Sequence, residues 1–284
     1  YRLYPDVIFG KGGYASFPVL LAGRILRIPV VIHESDSVPG RVNAWAGKFA
    51  QRIAVSYTEA ARYFPTERVA LTGQPIRKDI REPISTGARE FLKIEEEVPI
   101  ILVLGGSQGA EVINELVIES LSDLVKKYAV VHQTGKKNLL SAKTTGETVL
   151  YKSEHKERYK AFDYLNPLTL RMAAGVASVV ISRAGSTIFE IASWGTPSII
   201  VPIKESNGDH QRENAFAYAR AGACEVIEED NLSYHVLEAE VARLSAEGED
   251  REKMRAAAKA FDKPHAAKQI AEEIVKIALS HEIS

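Results

Sequence analysis

The chain has 284 residues, 45% of them apolar and 26% charged, and its formal net charge is −1. This balance is typical of a soluble globular protein and argues against a dedicated nucleic-acid binder, which carries a basic excess. No apolar run reaches the roughly 18 residues that a membrane-spanning helix needs. The single cysteine, Cys224, rules out a disulfide framework, and the length suggests two domains.

The first 80 residues alternate short apolar runs with segments of helical spacing. This alternation predicts parallel strands joined by right-handed helical crossovers. The predicted strands are 7–9, 29–33, 52–56 and 69–72, and the predicted helices are 17–26 and 41–50. Breakers and a charge run between residues 81 and 98 then indicate an inter-domain linker, with a short helix at 88–92.

The alternation resumes at residue 100, which predicts a second α/β domain. Its predicted strands are 100–104, 129–132, 176–181, 198–202 and 224–227, with further strand ends at 148–151 and 159–162. The predicted helices are 111–127, 168–174, 187–194, 211–220, 232–244, 249–261 and 266–279. We therefore expect an α/β fold of two doubly wound domains with a cleft between them. The predicted boundaries are 1–80, the linker 81–98, 99–263 and a C-terminal helix within 264–284.

The most informative stretch runs from Ser182 to Glu190, between a buried strand and a helix. The turn at Arg183, Ala184 and Gly185 points free N–H groups and the positive end of a helix dipole outward, as nucleotide sites do. Glu190 is either a partner of that dipole or an acceptor for ribose hydroxyls. Arg183 is equally a salt-bridge residue at the edge of the core or a phosphate partner.

A glycine-rich turn, Gly105-Gly-Ser-Gln-Gly-Ala110, also joins a strand to a helix. The hydroxyl of Ser107 and the N–H groups of Gln108 and Gly109 suit a diphosphate, although an ordinary strand–helix turn is the alternative. Because two such turns occur in one domain, the sequence favours a phosphate site.

Other polar groups follow predicted strands. His33, Glu34 and Asp36 form an ionisable cluster after 29–33, and Arg77 follows a glycine turn that we expect to face the cleft. Gln211 and Asn214 share a helix face suited to a sugar, whereas a helix start capped by Asp209 is the alternative. His210 alone is more typical of a surface histidine. No histidine or cysteine has metal-ligand spacing, so no metal is predicted.

Seven motifs together resemble the MurG family, the bacterial GlcNAc transferases of peptidoglycan synthesis. They occur in the family's order over nearly the whole chain, and the ordered set is highly specific. The motifs are Gly10-Lys-Gly-Gly-Tyr14, His33-Glu34, Gly73-Gln-Pro-Ile-Arg77, Gly105–Ala110, His132-Gln-Thr-Gly135, Ser182-Arg-Ala-Gly185 with Glu190, and Asp209-His-Gln211 with Asn214.

The resemblance implies the GT-B fold and an inverting, metal-independent transfer without a cofactor. The donor would be UDP-GlcNAc, and the acceptor the undecaprenyl-diphosphate-linked MurNAc-pentapeptide. By position, Ser107 and Arg77 would contact the diphosphate and Glu190 the ribose. Leu165 falls where a backbone group meets uracil, Gln211 with His210 falls where GlcNAc is held, and the last helix would cross back to the first domain.

Two features depart from the family. Its opening glycine-rich loop with a histidine has no counterpart here, so we expect that the natural N-terminus is missing and that the chain binds donor better than it turns it over. Asp36 stands where the family commonly has asparagine. Asp36 could still bind a sugar hydroxyl of the substrate or serve as the general base, for which His33 and the missing histidine are the other candidates. Alternatives are another UDP-sugar GT-B enzyme, such as a lipid glycosyltransferase or a UDP-GlcNAc epimerase, or a non-catalytic nucleotide-sugar-binding module.

A lipid-linked acceptor implies peripheral contact with anionic lipid at the cytoplasmic face of the bacterial membrane. The helix 17–26 offers an apolar patch with positive charge nearby. Packing of this helix on its own sheet is the alternative. The patch residues are Phe17, Leu20, Leu21, Ile25 and Leu26, flanked by Arg24 and Arg27.

Overall fold

The computed structural model describes residues 5–106, 109–204 and 209–282, and within them the chain forms two compact units. The first unit contains residues up to 76, then 209–217, and then the C-terminal part from residue 263. The second unit contains 77–204 and 218–262. Helix α9 (His210–Arg220) contributes to both units, because the grouping changes between Ala217 and Tyr218.

The first unit is built on a parallel sheet of order β1-β2-β3-β4. Its central strands are buried by apolar side chains that include Leu20, Ile32 and Ile53, as expected for parallel strands covered by crossover helices. The strands are β1 (Ile8–Gly10), β2 (Val30–Glu34), β3 (Arg52–Val55) and β4 (Val69–Leu71). The helices are α1 (Phe17–Leu26) and α2 (Arg41–Ala46), with α12 (Ala266–Glu282) from the C-terminal part.

The second unit is built on a parallel sheet of order β10-β9-β8-β5-β6-β7. The strands β5, β6 and β8 form the centre of its core, where Ile101, Val130 and Val179 are at most 1% exposed. The strands are β5 (Ile100–Leu104), β6 (Ala129–Gln133), β7 (Tyr159–Phe162), β8 (Ala177–Ser182), β9 (Ser198–Ile200) and β10 (Glu225–Val226).

Helices cover both faces of this sheet, as the alternating pattern predicts. They are α3 (Ala88–Leu92), α4 (Glu111–Glu119), α5 (Leu121–Lys127), α6 (Leu139–Val149), α7 (Pro167–Val176), α8 (Thr187–Trp194), α10 (Tyr234–Ser245) and α11 (Glu249–Phe261). The sequence places α3 and α8 at their observed bounds, because Gly87 and Gly195 mark a clear start and stop with positive φ.

The strand end predicted at 148–151 is wrong. Helix α6 extends to Val149, and the Thr148 hydroxyl donates to the carbonyl of Thr144 at 2.8 Å. This bond satisfies a β-branched polar residue inside a helix, so the local preference for a strand is overridden. The predicted helix 111–127 is divided in two at Ser120, whose hydroxyl donates to the Leu116 carbonyl at 2.8 Å.

The segment 81–98, predicted as a linker, belongs to the second unit and packs within it. Helix α3 lies against α7, and the Ile84 N–H donates to the Arg171 carbonyl at 3.0 Å. The Arg171 side chain in turn donates to the carbonyl of Glu82 at 2.9 Å. The breakers in this segment therefore mark turns of a packed connection.

Candidate functional site

The strands β5 and β8 lie side by side, with Leu104 opposite Ser182. The sheet extends from β5 toward β6 and β7 on one side, and from β8 toward β9 and β10 on the other. This reversal of strand order is the topological switch point, where open α/β sheets bind ligands at the carboxyl ends of their strands. The turns that begin at Gly105 and Arg183 follow these two strands, so both open at the switch point.

The turn after β5 requires its glycines. A side chain on Gly105 would meet the Ala110 nitrogen and the Gln133 carbonyl oxygen at 3.0 Å, and Gly109 has φ of 81°. A side chain on Gly109 would meet the carbonyl oxygen of Thr134 at 2.5 Å. The turn therefore lies directly against the end of β6. The predicted contacts Ser107 and Gln108 lie outside the described residues.

A buried histidine is linked to this turn through hydrogen bonds. His132 is 0% exposed, and its Nε2 lies 2.9 Å from Asn114 Oδ1, which can only accept a hydrogen bond. Nε2 therefore carries the proton, and Nδ1 accepts from the Tyr159 hydroxyl at 3.1 Å. Asn114 also donates to the Thr134 carbonyl at 3.0 Å, the group that touches Gly109. Burial lowers the pKa of His132 to about 3, so the ring is neutral.

The start of α8 is open toward the surface on one side. The position a side chain would take on Gly185 has no atom within 4 Å, and Gly185 is followed directly by the N-cap residue Ser186. Ala184 is fully buried, so its side chain anchors the turn in the core. The N-terminus of a helix of this length attracts anions through its free N–H groups and its dipole.

Glu190 lies on the first turns of α8 and is half-buried. Burial raises the pKa of its carboxyl group, Arg77 lowers the pKa, and Asp79 raises it. Its carboxylate accepts no hydrogen bond from the described part of the chain. A partly desolvated carboxylate of this kind is suited to accept hydrogen bonds from a hydroxylated ligand. The exposed guanidinium of Arg77 supplies positive charge to the same region.

Arg183 forms a salt bridge, which is one of the two alternatives open from the sequence. Its Nη1 lies 2.6 Å from Glu229 Oε1, and both side chains are mostly buried. Nη1 also donates to the carbonyls of Val201 and Pro202 at 3.1 and 3.3 Å. These contacts direct the guanidinium to the end of β9, so the geometry does not favour its predicted role as a phosphate contact.

The backbone of Leu165 is already engaged within the unit. Its N–H donates to Gln133 Oε1 at 3.0 Å, and the side chain is 1% exposed. The contact predicted between a ligand and the Leu165 backbone would therefore use the carbonyl oxygen. Gln133 ends β6 beside the glycine turn, so this bond connects the Leu165 segment to the switch point.

The predicted sugar contact Asn214 belongs to the first unit and is 2% exposed. Its Oδ1 accepts from both the N–H and the hydroxyl of Ser37 at 2.8 Å, and its Nδ2 donates to Asp36 Oδ1 at 2.9 Å. Both ends of the amide are therefore used inside the protein. The geometry favours a role in holding the loop after β2 over the predicted contact with a sugar.

The start of α9 is joined to the same loop by His210, whose Nδ1–H donates to the Val38 carbonyl at 2.8 Å. Gln211 follows it and is half-buried. Asp209 has a positive φ of 57°, unlike the extended backbone of a usual N-cap residue, and its carboxylate lies 3.9 Å from Arg212. The roles predicted for His210 and Gln211 stay predictions.

His33 and Glu34 are buried at the end of β2. The His33 ring is 0% exposed, its Nε2 donates to the Gly73 carbonyl at 3.1 Å, and burial lowers its pKa to about 4. Complete burial argues against His33 as the base that touches a substrate. Glu34 accepts from the N–H groups of Asp36 and Gly40 at 3.0 and 3.2 Å, so it shapes the loop. Burial is the main influence on its pKa and raises it.

Several supporting residues were missed by the sequence reasoning. Asn43 donates to the His33 carbonyl and to Glu34, Asn114 holds Thr134, and Glu229 pairs with Arg183. Each lies far along the chain from the group it contacts or within an unremarkable helix, so no local pattern identifies it. Among the described residues, no group of three or more His, Cys, Asp and Glu is arranged to hold a metal ion.

Comparison with family models gives two matches. The model of the glycosyltransferase family 28 C-terminal domain matches residues 100–270, and the model of the N-terminal domain of the same family matches residues 1–55. The first match covers the whole switch point.

Two bacterial relatives are 38% identical to the chain. The first, from Bacillus cereus, matches over 276 residues, which are 96% of this chain and 74% of the relative. The second, from Thermodesulfovibrio yellowstonii, matches over 272 residues, 94% of this chain and 72% of the relative. Both are named UDP-N-acetylglucosamine–N-acetylmuramyl-(pentapeptide) pyrophosphoryl-undecaprenol N-acetylglucosamine transferase.

Solved structures show the same fold. The crystal structure of Acinetobacter baumannii MurG superposes with a TM-score of 0.75 at 25% identity, covering 97% of this chain and 76% of that one. A UDP-GlcNAc 2-epimerase from Neisseria meningitidis, bound to UDP-GlcNAc, superposes with a TM-score of 0.66 at 15% identity, covering 97% and 77%. The second likeness shows the fold alone. The predicted α/β fold of GT-B type is confirmed by the two parallel sheets and by the MurG neighbour.

Proposed function

Because the chain belongs to glycosyltransferase family 28, we propose that it transfers GlcNAc from UDP-GlcNAc to a lipid-linked MurNAc-pentapeptide in peptidoglycan synthesis. The observation that carries the proposal is the pair of turns at the switch point of the second sheet, with Glu190 beside them. A pair of turns at this place suits a nucleoside diphosphate, and a half-buried carboxylate suits the hydroxyls of its ribose.

The UDP part of the donor is held by the second unit. Glu190 accepts hydrogen bonds from the ribose, while the N–H groups of the turn after β5, the start of α8 and the Arg77 guanidinium stabilise the diphosphate. Uracil lies near Leu165, whose carbonyl oxygen is available for a backbone contact. These same groups stabilise the negative charge that develops on UDP as it leaves, so they lower the barrier as well as bind the donor.

The transfer inverts the configuration at the anomeric carbon. The C4 hydroxyl oxygen of MurNAc bonds to that carbon, the bond to the UDP oxygen breaks with its electron pair, and the hydroxyl proton passes to a base. Asp36 is our candidate for the base, because its carboxylate is half-buried and is oriented by Asn214 at 2.9 Å. Gln211 and His210, which begin α9, hold the GlcNAc hydroxyls.

The first unit approaches an anionic membrane surface through α1. Phe17, Val19 and Ile25 are 40%, 55% and 70% exposed, and Arg24 and Arg27 lie beside them. Leu20, which the sequence placed in this patch, is 0% exposed and belongs to the core. No helix in the described ranges is long and apolar enough to cross a bilayer. Replacing Ile25 by serine should reduce sedimentation with anionic vesicles, and unchanged sedimentation would contradict this contact.

The transfer is tested with UDP-[14C]GlcNAc and a short-chain analogue of the lipid-linked MurNAc-pentapeptide. A labelled disaccharide on the lipid supports the proposed function. Release of an epimerised sugar without the acceptor would assign the chain to the epimerases instead, and binding of UDP-GlcNAc without any product would assign it a binding role.

A further inference from the structure

The turn that carries Arg77 is fastened to the helix that carries Glu190. The N–H groups of Ile80 and Arg81 donate to the Arg77 carbonyl at 3.1 and 3.3 Å, so the turn is compact. Ile80 is 0% exposed, and its carbonyl accepts from the indole N–H of Trp194 at 2.7 Å. Trp194 is the last residue of α8 and is 6% exposed. The turn is therefore anchored to α8 by a buried hydrogen bond.

A second anchor comes from the end of α11. The Arg81 guanidinium pairs with both carboxylate oxygens of Asp262, with Nη1 at 3.0 Å from Oδ1. Both side chains are mostly buried, and two-point pairing of this kind fixes orientation as well as distance. Helix α11 packs on α8, where the ring of Phe261 stacks on Phe189 with centroids 5.9 Å apart. The turn, α8 and the end of α11 are therefore joined at several points.

These anchors determine where the charges of the turn lie. Glu190 and Trp194 are four residues apart, so they occupy the same side of α8. Arg77 and Asp79, which precede the anchored Ile80, both act on the Glu190 carboxylate. Displacement of the turn would thus move the Arg77 guanidinium relative to the carboxylate, whereas α8 and its N-terminus would stay in place.

We propose that Trp194 is a positioning residue for the diphosphate, because its bond to the Ile80 carbonyl holds Arg77 in place beside the ribose contact Glu190. The proposal rests on the proposed function, since it takes the ligand to be a uridine diphosphate. Trp194 itself does not contact the diphosphate. It acts through Arg77, so its effect depends on the presence of the diphosphate.

The test compares UDP with uridine, because uridine lacks the groups that Arg77 binds. Trp194→Phe keeps an aromatic ring and removes the N–H donor. By calorimetry we expect UDP to bind about tenfold more weakly and uridine to bind unchanged, since a misplaced charge weakens only the contact that it makes. Trp45→Phe, at the other of the two tryptophans and in the first unit, is the matched control and should change neither affinity.

The double variant Trp194→Phe/Arg77→Ala identifies the path of the effect. If Trp194 acts through Arg77, the double variant binds UDP as Arg77→Ala does, whereas an additional tenfold loss would overturn the proposal. An equal loss of UDP and uridine affinity in Trp194→Phe would also overturn it, because that pattern indicates a general disruption of the unit.

A third variant allows the proposal to be tested even if Trp194→Phe does not fold. Asp262→Asn weakens the second anchor, and it should lower UDP affinity a few-fold while uridine affinity stays constant. Equal affinities of this variant and the unchanged chain for UDP would contradict the proposal. Failure of the unchanged chain to bind UDP and uridine at all is a different result, because it would overturn the proposed function itself.

Discussion

The two units each bury a neutral histidine near the end of their second strand, but they use the neighbouring polar groups differently. In the first unit, Glu34 and Asn214 use their hydrogen-bonding groups to hold the loop after β2, so we call this cluster closed. In the second unit, the network of His132 ends at the glycine turn, and the carboxylate of Glu190 takes no hydrogen bond from the described residues. We therefore expect a cluster of polar residues at a strand end to bind a ligand only where the protein leaves hydrogen-bonding groups unused.

The largest expected effect is on UDP affinity, at the carboxylate of Glu190, which we call open because no described residue donates a hydrogen bond to it. Glu190→Ala should weaken UDP binding about 100-fold, because two ribose hydroxyls lose hydrogen bonds to a charged acceptor, each contributing roughly 1.5 kcal/mol. Thermal unfolding should change little. Calorimetric titration with UDP measures the loss, with the exposed Glu147→Ala as the control in the same unit. If Glu190→Ala binds UDP as tightly as the control, the contrast between open and closed clusters is lost.

The closed cluster should show the opposite behaviour. Asn214→Ala leaves the N–H and hydroxyl of Ser37 without their acceptor and removes the donor to Asp36. We expect a loss of about 2 kcal/mol in the free energy of unfolding, the cost of buried polar groups without partners. Affinity for UDP-GlcNAc should be unchanged, since both ends of the Asn214 amide are used within the protein. Urea denaturation and titration of the same samples measure both quantities.

The control for Asn214 is Asn231→Ala, at an exposed position where we expect a change within about 0.5 kcal/mol. A stable Asn214→Ala protein with weakened UDP-GlcNAc binding would reverse the assignment. It would return Asn214 to the ligand contacts, where the sequence had placed it.

The sequence predicts the elements of both sheets because apolar runs and glycine stops are local signals. It also selects Gly105 and Gly185, since strand–glycine–helix patterns are visible in the chain order. It does not show that β5 and β8 are neighbours, because their pairing depends on the order of strands in the sheet. The sequence left Arg183 open for a related reason. Its partner Glu229 lies beyond two further strands and two helices, where no spacing rule applies.

Asn214 and His33 illustrate a second limit of the sequence. Side chains that build a loop and side chains that bind a ligand are polar in the same way, and both occur after strands. What separates them is how many of their hydrogen bonds the protein itself uses. That quantity depends on contacts between distant segments, such as the bonds from the loop after β2 to α9. It becomes visible only in the folded chain.

The smallest expected effect is on the pH dependence of stability, and it comes from the buried histidine that each unit contains. His33 and His132 have pKa values lowered to about 4 and about 3 by burial, whereas the unfolded chain titrates near pH 6.5. Between these values the unfolded state binds more protons, so stability is complete above pH 6.5 and decreases as the pH falls. Each histidine should cost about 1 kcal/mol of unfolding free energy between pH 6.5 and 5.5.

Replacing either buried histidine by glutamine should therefore remove about 1 kcal/mol of this pH dependence. Replacing both should remove about 2 kcal/mol. The exposed His265→Gln should keep the full dependence and serves as the control. Urea denaturation at the two pH values gives the difference directly. A pH dependence that survives in both variants would mean that the rings are protonated within the fold. Buried donors and acceptors would then have to be arranged around a charge, and the neutral tautomer assigned to His132 through Asn114 would be wrong.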